Sequence, residues 1–214
     1  IYAREYDAAI SPNGNIPVHA FNLISPTFFA NSSTGNKYSL WVNVYGVSER
    51  YLNVYGEKDL RAQMNQFFHR TYTHPVDGTT LDMKMLCNWY WYDETAILET
   101  GKGTKDWNFY RYAETLLSAA EAIAQSSGVN AEAAGYLAQV KARANMEGKD
   151  VSTIASELQR LGKQAFIEEC WKERLREFPL EMKIWDDCVR TGKFPQISAT
   201  NKGEVQFVDL IGAT

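Results

Sequence analysis

The sequence predicts a mainly α fold in which helical pairs carry long irregular loops and a few short strands. Three observations predict it. Residues 1 to about 105 are rich in Pro, Asn, Ser and Gly and hold only short aromatic or β-branched runs. From Trp107 onward apolar residues recur at helical spacing, and those helices are rich in Ala, which lets backbones approach closely. The regions 1–105 and 106–214 are read as one structural unit, and, because the first residue is Ile1 rather than Met, as a fragment of a longer protein.

In the first region one helix is expected over 57–72, EKDLRAQMNQFFHRTY, where Leu60, Met64, Phe67 and Phe68 share a face, with a second half that is equally compatible with extended chain. The run NWYWYDE (88–94) reads as a strand. In the second region WNFYRYAETLLSAAEAIAQSS places Tyr112, Leu116, Ala119, Ala120 and Ile123 on one face and stops at Ser126-Ser127-Gly128. Asn130 then caps a helix with Ala133, Leu137, Val140 and Ala144 on its apolar side. The two make an antiparallel, tetratricopeptide-like pair, although that repeat's fixed Trp, Gly and Tyr positions are not met. A long helical segment from about Val151 to Cys188 follows, broken near Leu161-Gly162 and at Pro179, with Glu168 and Lys172 spaced for a solvent-facing ion pair. The chain closes with a loop from Arg190 and a strand-like run, VQFVDLIG.

Composition removes several function classes. A net charge of -4 and no Lys/Arg stripe argue against nucleic acid as a partner. No run of about 18 apolar residues exists to span a membrane, and the opening segment has no signal-peptide pattern. Cys87, Cys170 and Cys188 are odd in number and widely spaced, which reads as buried thiols rather than a disulfide framework or a zinc site. His19, His69 and His74 match no metal-ligand spacing, so neither metal nor cofactor is expected. A glycoside hydrolase needs two carboxylates facing each other across a cleft, and Asp93-Glu94, Glu168-Glu169 and Asp186-Asp187 are only neighbours in sequence. GKGTK (101–105) lacks the opening Gly of a phosphate loop, and no G-x-S-x-G occurs, so the chain reads as non-enzymatic.

Three blocks of the second half, in order, resemble the SusD/RagB family. They are Arg111-Tyr112-Ala113-Glu114 with Ala120-Glu121-Ala122, then YLAQVKARANM, then ECWKERLREFPLEMKIWDDCVRTGKF. Upstream, IYAREYD, WVNVYG, Tyr55 and Asp59-x-Arg61 are similar to further family positions. Where members commonly carry Phe-Glu-Gly-x-Arg, this chain has Phe178-Pro179-Leu180-Glu181-Met182-Lys183. The lipidated amino-terminal cysteine, the first tetratricopeptide helices and the Pro- and Asn-rich closing stretch are not in the sequence, which fits the carboxy-terminal half of a member. The resemblance implies a SusD-like α-α superhelix and a non-catalytic lipoprotein on the outer membrane surface of a Bacteroidetes-like bacterium. Such a protein captures oligosaccharide or polysaccharide for a TonB-dependent, SusC-like porin, with its lipid anchor outside this fragment.

A sugar ring offers an apolar C–H face and a rim of hydroxyls, so its binder presents flat aromatic rings and hydrogen-bonding side chains. NWYWYDE is the densest source. Strand alternation sends Trp89 and Trp91 to one face and Tyr90 and Tyr92 to the other, with Asn88, Asp93 and Glu94 as hydrogen-bonding groups. Tyr38, Trp41 and Tyr45, around the polar loop NSSTGNK, form a second candidate. The plain reading of both is core packing, as it is for the helical residues Trp107, Trp171 and Trp185. The competing function is a tetratricopeptide-type module that takes a peptide and no sugar, with its exposed aromatics along a helical groove rather than on loops.

Overall fold

The computed structural model describes residues 2–7, 9–10, 47–75, 78–90, 92–94, 104–179 and 181–212. They fall into two compact units, one of residues 2–49 and 63–109, the other of residues 50–62 and 110–214. The fold is mostly helical with a few short strands, as the sequence predicts.

In the first unit β1 (Tyr2–Arg4) pairs with β4 (Trp107–Tyr110), and β2 (Phe68–Thr73) pairs antiparallel with β3 (Thr80–Asn88). The β2–β3 register runs Thr73↔Thr80 to Thr71↔Asp82, shifts at a bulge, and resumes at His69↔Cys87 and Phe68↔Asn88. Phe68, Tyr72, Leu86 and Cys87 are buried apolar residues of this hairpin. The helix expected over 57–72 does not form. Only Leu60–Ala62 makes a 3-10 turn, Asn65 adopts φ 65°, and the aromatic and β-branched residues from Phe68 enter β2. A positive φ breaks a helix outright, and Thr, Tyr and Phe suit a half-buried pleated surface.

The helical unit contains α1 (Tyr112–Ser127), α2 (Ala131–Ala142), α3 (Val151–Leu158), α4 (Lys163–Glu177) and α5 (Ile184–Thr191). The breaks fall where expected, and the caps explain them. Asn130 Oδ1 accepts from Ala133 N at 2.9 Å, Asp150 Oδ1 accepts from Thr153 N at 2.8 Å, and Gly128 and Gly192 stop α1 and α5 at φ 82° and 65°. Ala133, Leu137, Val140 and Ala144 are all buried, as expected. The α1 face differs: Ala113, Leu116, Leu117, Ala120 and Ala124 are buried, while Tyr112 is 66% exposed. Small residues form the seam because α2 and α4 both lie close against it, and a tyrosine there would hold them apart.

Two further expectations are corrected. Glu168 does not pair with Lys172 but accepts from Gln164 Nε2 at 3.0 Å, one turn earlier. The tail loop contains a strand, β5 (Lys193–Ile197), which pairs with β6 (Val205–Asp209). Pro195 hid it from a sequence reading, yet both strands of a two-stranded ladder are edges, where a missing N–H is tolerated. The segment 50–62 is stitched to the helices and to this hairpin: Tyr51 and Tyr55 hydroxyls donate to the carbonyls of Leu175 and Arg176, and Asn53 Nδ2 donates to Ser198 O. All three cysteines are buried free thiols. Burial pushes Cys87 up to about 12 and raises Cys170 and Cys188, so none is a ready nucleophile.

Candidate functional site

Helix α4 carries the run Glu173-Arg174-Leu175-Arg176-Glu177, and every one of these residues is buried. Charges taken out of water need partners, and each finds them nearby. Arg61 grips Asp59 through two bonds, at 2.9 and 2.7 Å, and reaches Glu173 and Glu177 at 2.9 and 3.0 Å. Arg111 forks onto Glu181 at 2.8 and 2.6 Å and meets Glu177 at 3.1 Å, while Arg143 meets Glu177 at 2.7 Å. Arg174 joins Asp187 and Glu114, and Arg176 joins Glu169, Glu173 and the carbonyl of Val54. Arg190 closes the set on Glu121 and Asp187.

The electrostatics follow from those contacts. Burial by itself would raise the Glu169 carboxyl, but Lys141 and Arg176 beside it hold it down at about 2. Glu173, fully buried, is likewise held below the usual carboxylate range by Arg61, Lys141 and Arg176. A cleft of about 470 Å³ opens beside this network, lined by Lys58, Asp59, Arg61, Lys141, Glu169 and Arg176 among others, and none of its lining residues is aromatic. It offers no stacking face, and its inner charges are already committed to one another.

The aromatic candidate lies in the other unit. Strand β3 ends at Asn88, and the chain turns there: Tyr92 N donates to Trp89 O at 3.1 Å, so the expected alternation through 88–94 does not operate. Trp89 stacks on His69 with centroids 3.8 Å apart and planes 8° apart, and on Tyr92 at 4.8 Å and 14°. His69 and Tyr92 are not in ring contact with one another, so they take opposite faces of the indole. Tyr72, buried, packs at a tilt against Trp89 and Tyr92. Burial lowers the His69 pKa below its ordinary value, which favours the neutral ring, although hydrogen bonds to the Gln66 and Thr71 backbone oppose that.

The polar candidates divide. Asn88 is buried and accepts from Tyr90 N at 3.1 Å, and Asp93 is buried and accepts from Thr104 N and Oγ1 at 2.6 and 3.0 Å. Both fasten the turn from within. Glu94 is exposed, and its Oε2 accepts from the Tyr92 hydroxyl at 2.9 Å. Lys105 lies 5.1 Å from the Tyr90 ring centroid. Trp91, Trp41, Tyr38 and Tyr45 lie outside the described residues. Among the described residues no His, Cys, Asp and Glu side chains gather as metal ligands, and no helix is long and apolar enough to cross a membrane.

The SusD family model matches residues 30–209. The chain belongs to the SusD family. Its fold is similar to the crystal structure of a SusD superfamily protein from Parabacteroides distasonis ATCC 8503, with TM-score 0.77 and 24% identity. That likeness covers 100% of this chain and 42% of the Parabacteroides chain, so the chain spans about two fifths of that protein's length. No curated protein matches the sequence.

The blocks that carry the family resemblance are the ones the network joins: Arg111 and Glu114 from the first, Arg143 from the second, Arg174, Glu177, Glu181 and Arg190 from the third, and Asp59 with Arg61 upstream. In the sequence these residues stood out only as members of the family-like blocks, with no ion pairs between them expected. The available signal was the unusual density of opposite charges at buried helical positions. His69 as a stacking partner was also missed, because the pairing that sets Phe68 opposite Asn88 is not legible in residues 57–72, which fit a helix or extended chain alike.

Proposed function

We propose that this SusD-family chain is part of a non-catalytic lipoprotein on the outer membrane surface of a Bacteroidetes-like bacterium, one that captures oligosaccharide or polysaccharide and passes it to a SusC-like, TonB-dependent porin. Family membership over residues 30–209 is the observation that carries this reading. The stack of His69, Trp89 and Tyr92 supports it. Trp89 acts as the filling of that stack, so a sugar is taken by Tyr92, which keeps partial exposure, with Trp89 fixing its plane. One stacked sugar face gains on the order of 1–2 kcal/mol, so two or three such contacts give roughly -4 to -8 kcal/mol, a range suited to capture and release.

The peptide-binding alternative draws on one observation. Helix α5 exposes Trp185, 65% accessible, beside Met182 and Val189, whereas a packing role was expected for that tryptophan. Isothermal titration with a panel of neutral plant, microbial and host polysaccharides separates the two readings. Glycan capture predicts a saturable isotherm that Tyr92→Ala and Trp89→Ala each weaken by about tenfold or more. A folded protein silent across the panel, or one whose binding depends on Trp185 instead, overturns the assignment.

A further inference from the structure

We infer that Glu94 is the hydroxyl-reading and charge-selecting residue of the glycan site, and that the site takes uncharged sugars bearing adjacent hydroxyls. The inference rests on the glycan reading above and deepens it.

Three observations converge on this side chain. First, of the polar groups in segment 88–94 that the structure describes, Asn88 and Asp93 turn inward onto backbone donors, while Glu94 is exposed. Second, the Glu94 carboxylate is oriented: its Oε2 accepts from the hydroxyl of Tyr92, whose ring is stacked on Trp89. Its position is thereby tied to the plane on which a sugar lies. Third, Oε1 has no hydrogen-bond partner among the described residues. A carboxylate offers about four acceptor sites, and a single phenol uses one. The remaining oxygen stands at the edge of an aromatic face, where a stacked pyranose presents its equatorial hydroxyls as donors.

The charge balance around the stack sets the ligand's charge. Burial lowers the Lys105 pKa, Asp93 opposes that shift, and the ammonium lies over the Tyr90 ring. Burial also favours neutral His69. Arg70 is engaged by Glu49 at 2.5 Å. Among the described residues, the carboxylate of Glu94 is therefore left without a cationic partner at the ring edge. It favours hydroxyl donors and repels a uronate or sulfate brought to the same face.

The test is isothermal titration of the 214-residue chain and of Glu94→Ala, Glu94→Gln, Tyr92→Phe and Tyr92→Ala against a neutral galactomannan, a neutral xyloglucan and anionic polygalacturonate, with melting temperatures alongside. The expected result is binding of a neutral polymer and none of polygalacturonate. Glu94→Ala should weaken neutral binding by about tenfold or more, since hydrogen bonds to charged groups are the strong class, with an unchanged melting temperature because the residue is exposed. Glu94→Gln should retain part of the affinity and lose discrimination against polygalacturonate. Tyr92→Phe keeps the ring and frees the carboxylate, so it should fall between the parent and Glu94→Ala. If neutral glycan binds and Tyr92→Ala abolishes binding while Glu94→Ala matches the parent, the role of Glu94 is overturned and glycan capture stands. Preference of the parent for polygalacturonate overturns it equally. If the folded parent binds no polysaccharide, the glycan reading fails and this inference fails with it.

Discussion

Met182 shows what one residue discloses. It sits at φ 59°, in the left-handed region, between Glu181, which holds Arg111, and Lys183, which holds Glu114. It lies in the stretch that departs from the Phe-Glu-Gly-x-Arg of the family the sequence resembles, and a residue without Cβ would reach that conformation without strain. Methionine there costs roughly 1–2 kcal/mol. Met182→Gly is expected to stabilise the protein by about 0.5–1 kcal/mol, the relieved strain being partly offset by the greater freedom of glycine in the unfolded chain. Urea unfolding checks it, and a destabilised variant would show that the Met182 side chain contributes packing that outweighs its backbone. The departure from the family pattern could be seen in the sequence, but the positive φ at Met182 could not. Trp185 fails the other way. Its helical position argued for burial, and nothing in the spacing told that α5 turns Cys188 inward and leaves Trp185 out.

At the scale of elements, period and caps carried the reading. Asn130, Asp150, Gly128 and Gly192 each mark a boundary through a local interaction, so a single sequence suffices to place them. Strand β2 depends on hairpin pairing with β3, and β5 on an edge position that tolerates proline, neither of which helical periodicity encodes. Helix α4 combines both kinds of information. Its helicity was evident, whereas its role as a buried hub rests on Arg61, Arg111 and Lys141, brought to it by three other segments. The hub makes a pH prediction. The Glu169 carboxyl is lowered from an ordinary 4.5 to about 2 in the folded state, a direction in which stability is present above pH 4.5 and is lost as pH falls towards 2. The urea midpoint should therefore decline across that window. Glu169→Gln should start lower at neutral pH and decline less steeply, and parallel profiles for the two proteins would remove Glu169 from the hub's electrostatics.

Across the whole molecule, the residues of the ion network and the residues proposed to hold a sugar are different sets in different units. The first set is a network of buried ion pairs that organises the helical unit; the second is an aromatic turn with an exposed carboxylate. This division explains why the fold could be read with more detail than the site. Network residues meet one another within this chain, so they leave a density of opposite charges in its helices. The proposed site residues would answer to a ligand, and Tyr92, Trp89 and Glu94 announce themselves only as a cluster of aromatic and polar types.

The division is tested most directly by one comparative titration of a neutral polysaccharide that the parent binds, using Tyr92→Ala for the stack and Arg143→Ala for the network. Arg143 is largely exposed and its bond to Glu177 is single, so its loss costs about 1 kcal/mol and leaves a folded protein. The account predicts that Tyr92→Ala loses affinity by about tenfold or more while Arg143→Ala binds as the parent does. Affinity lost in Arg143→Ala and kept in Tyr92→Ala would place the sugar on the helical unit and contradict it.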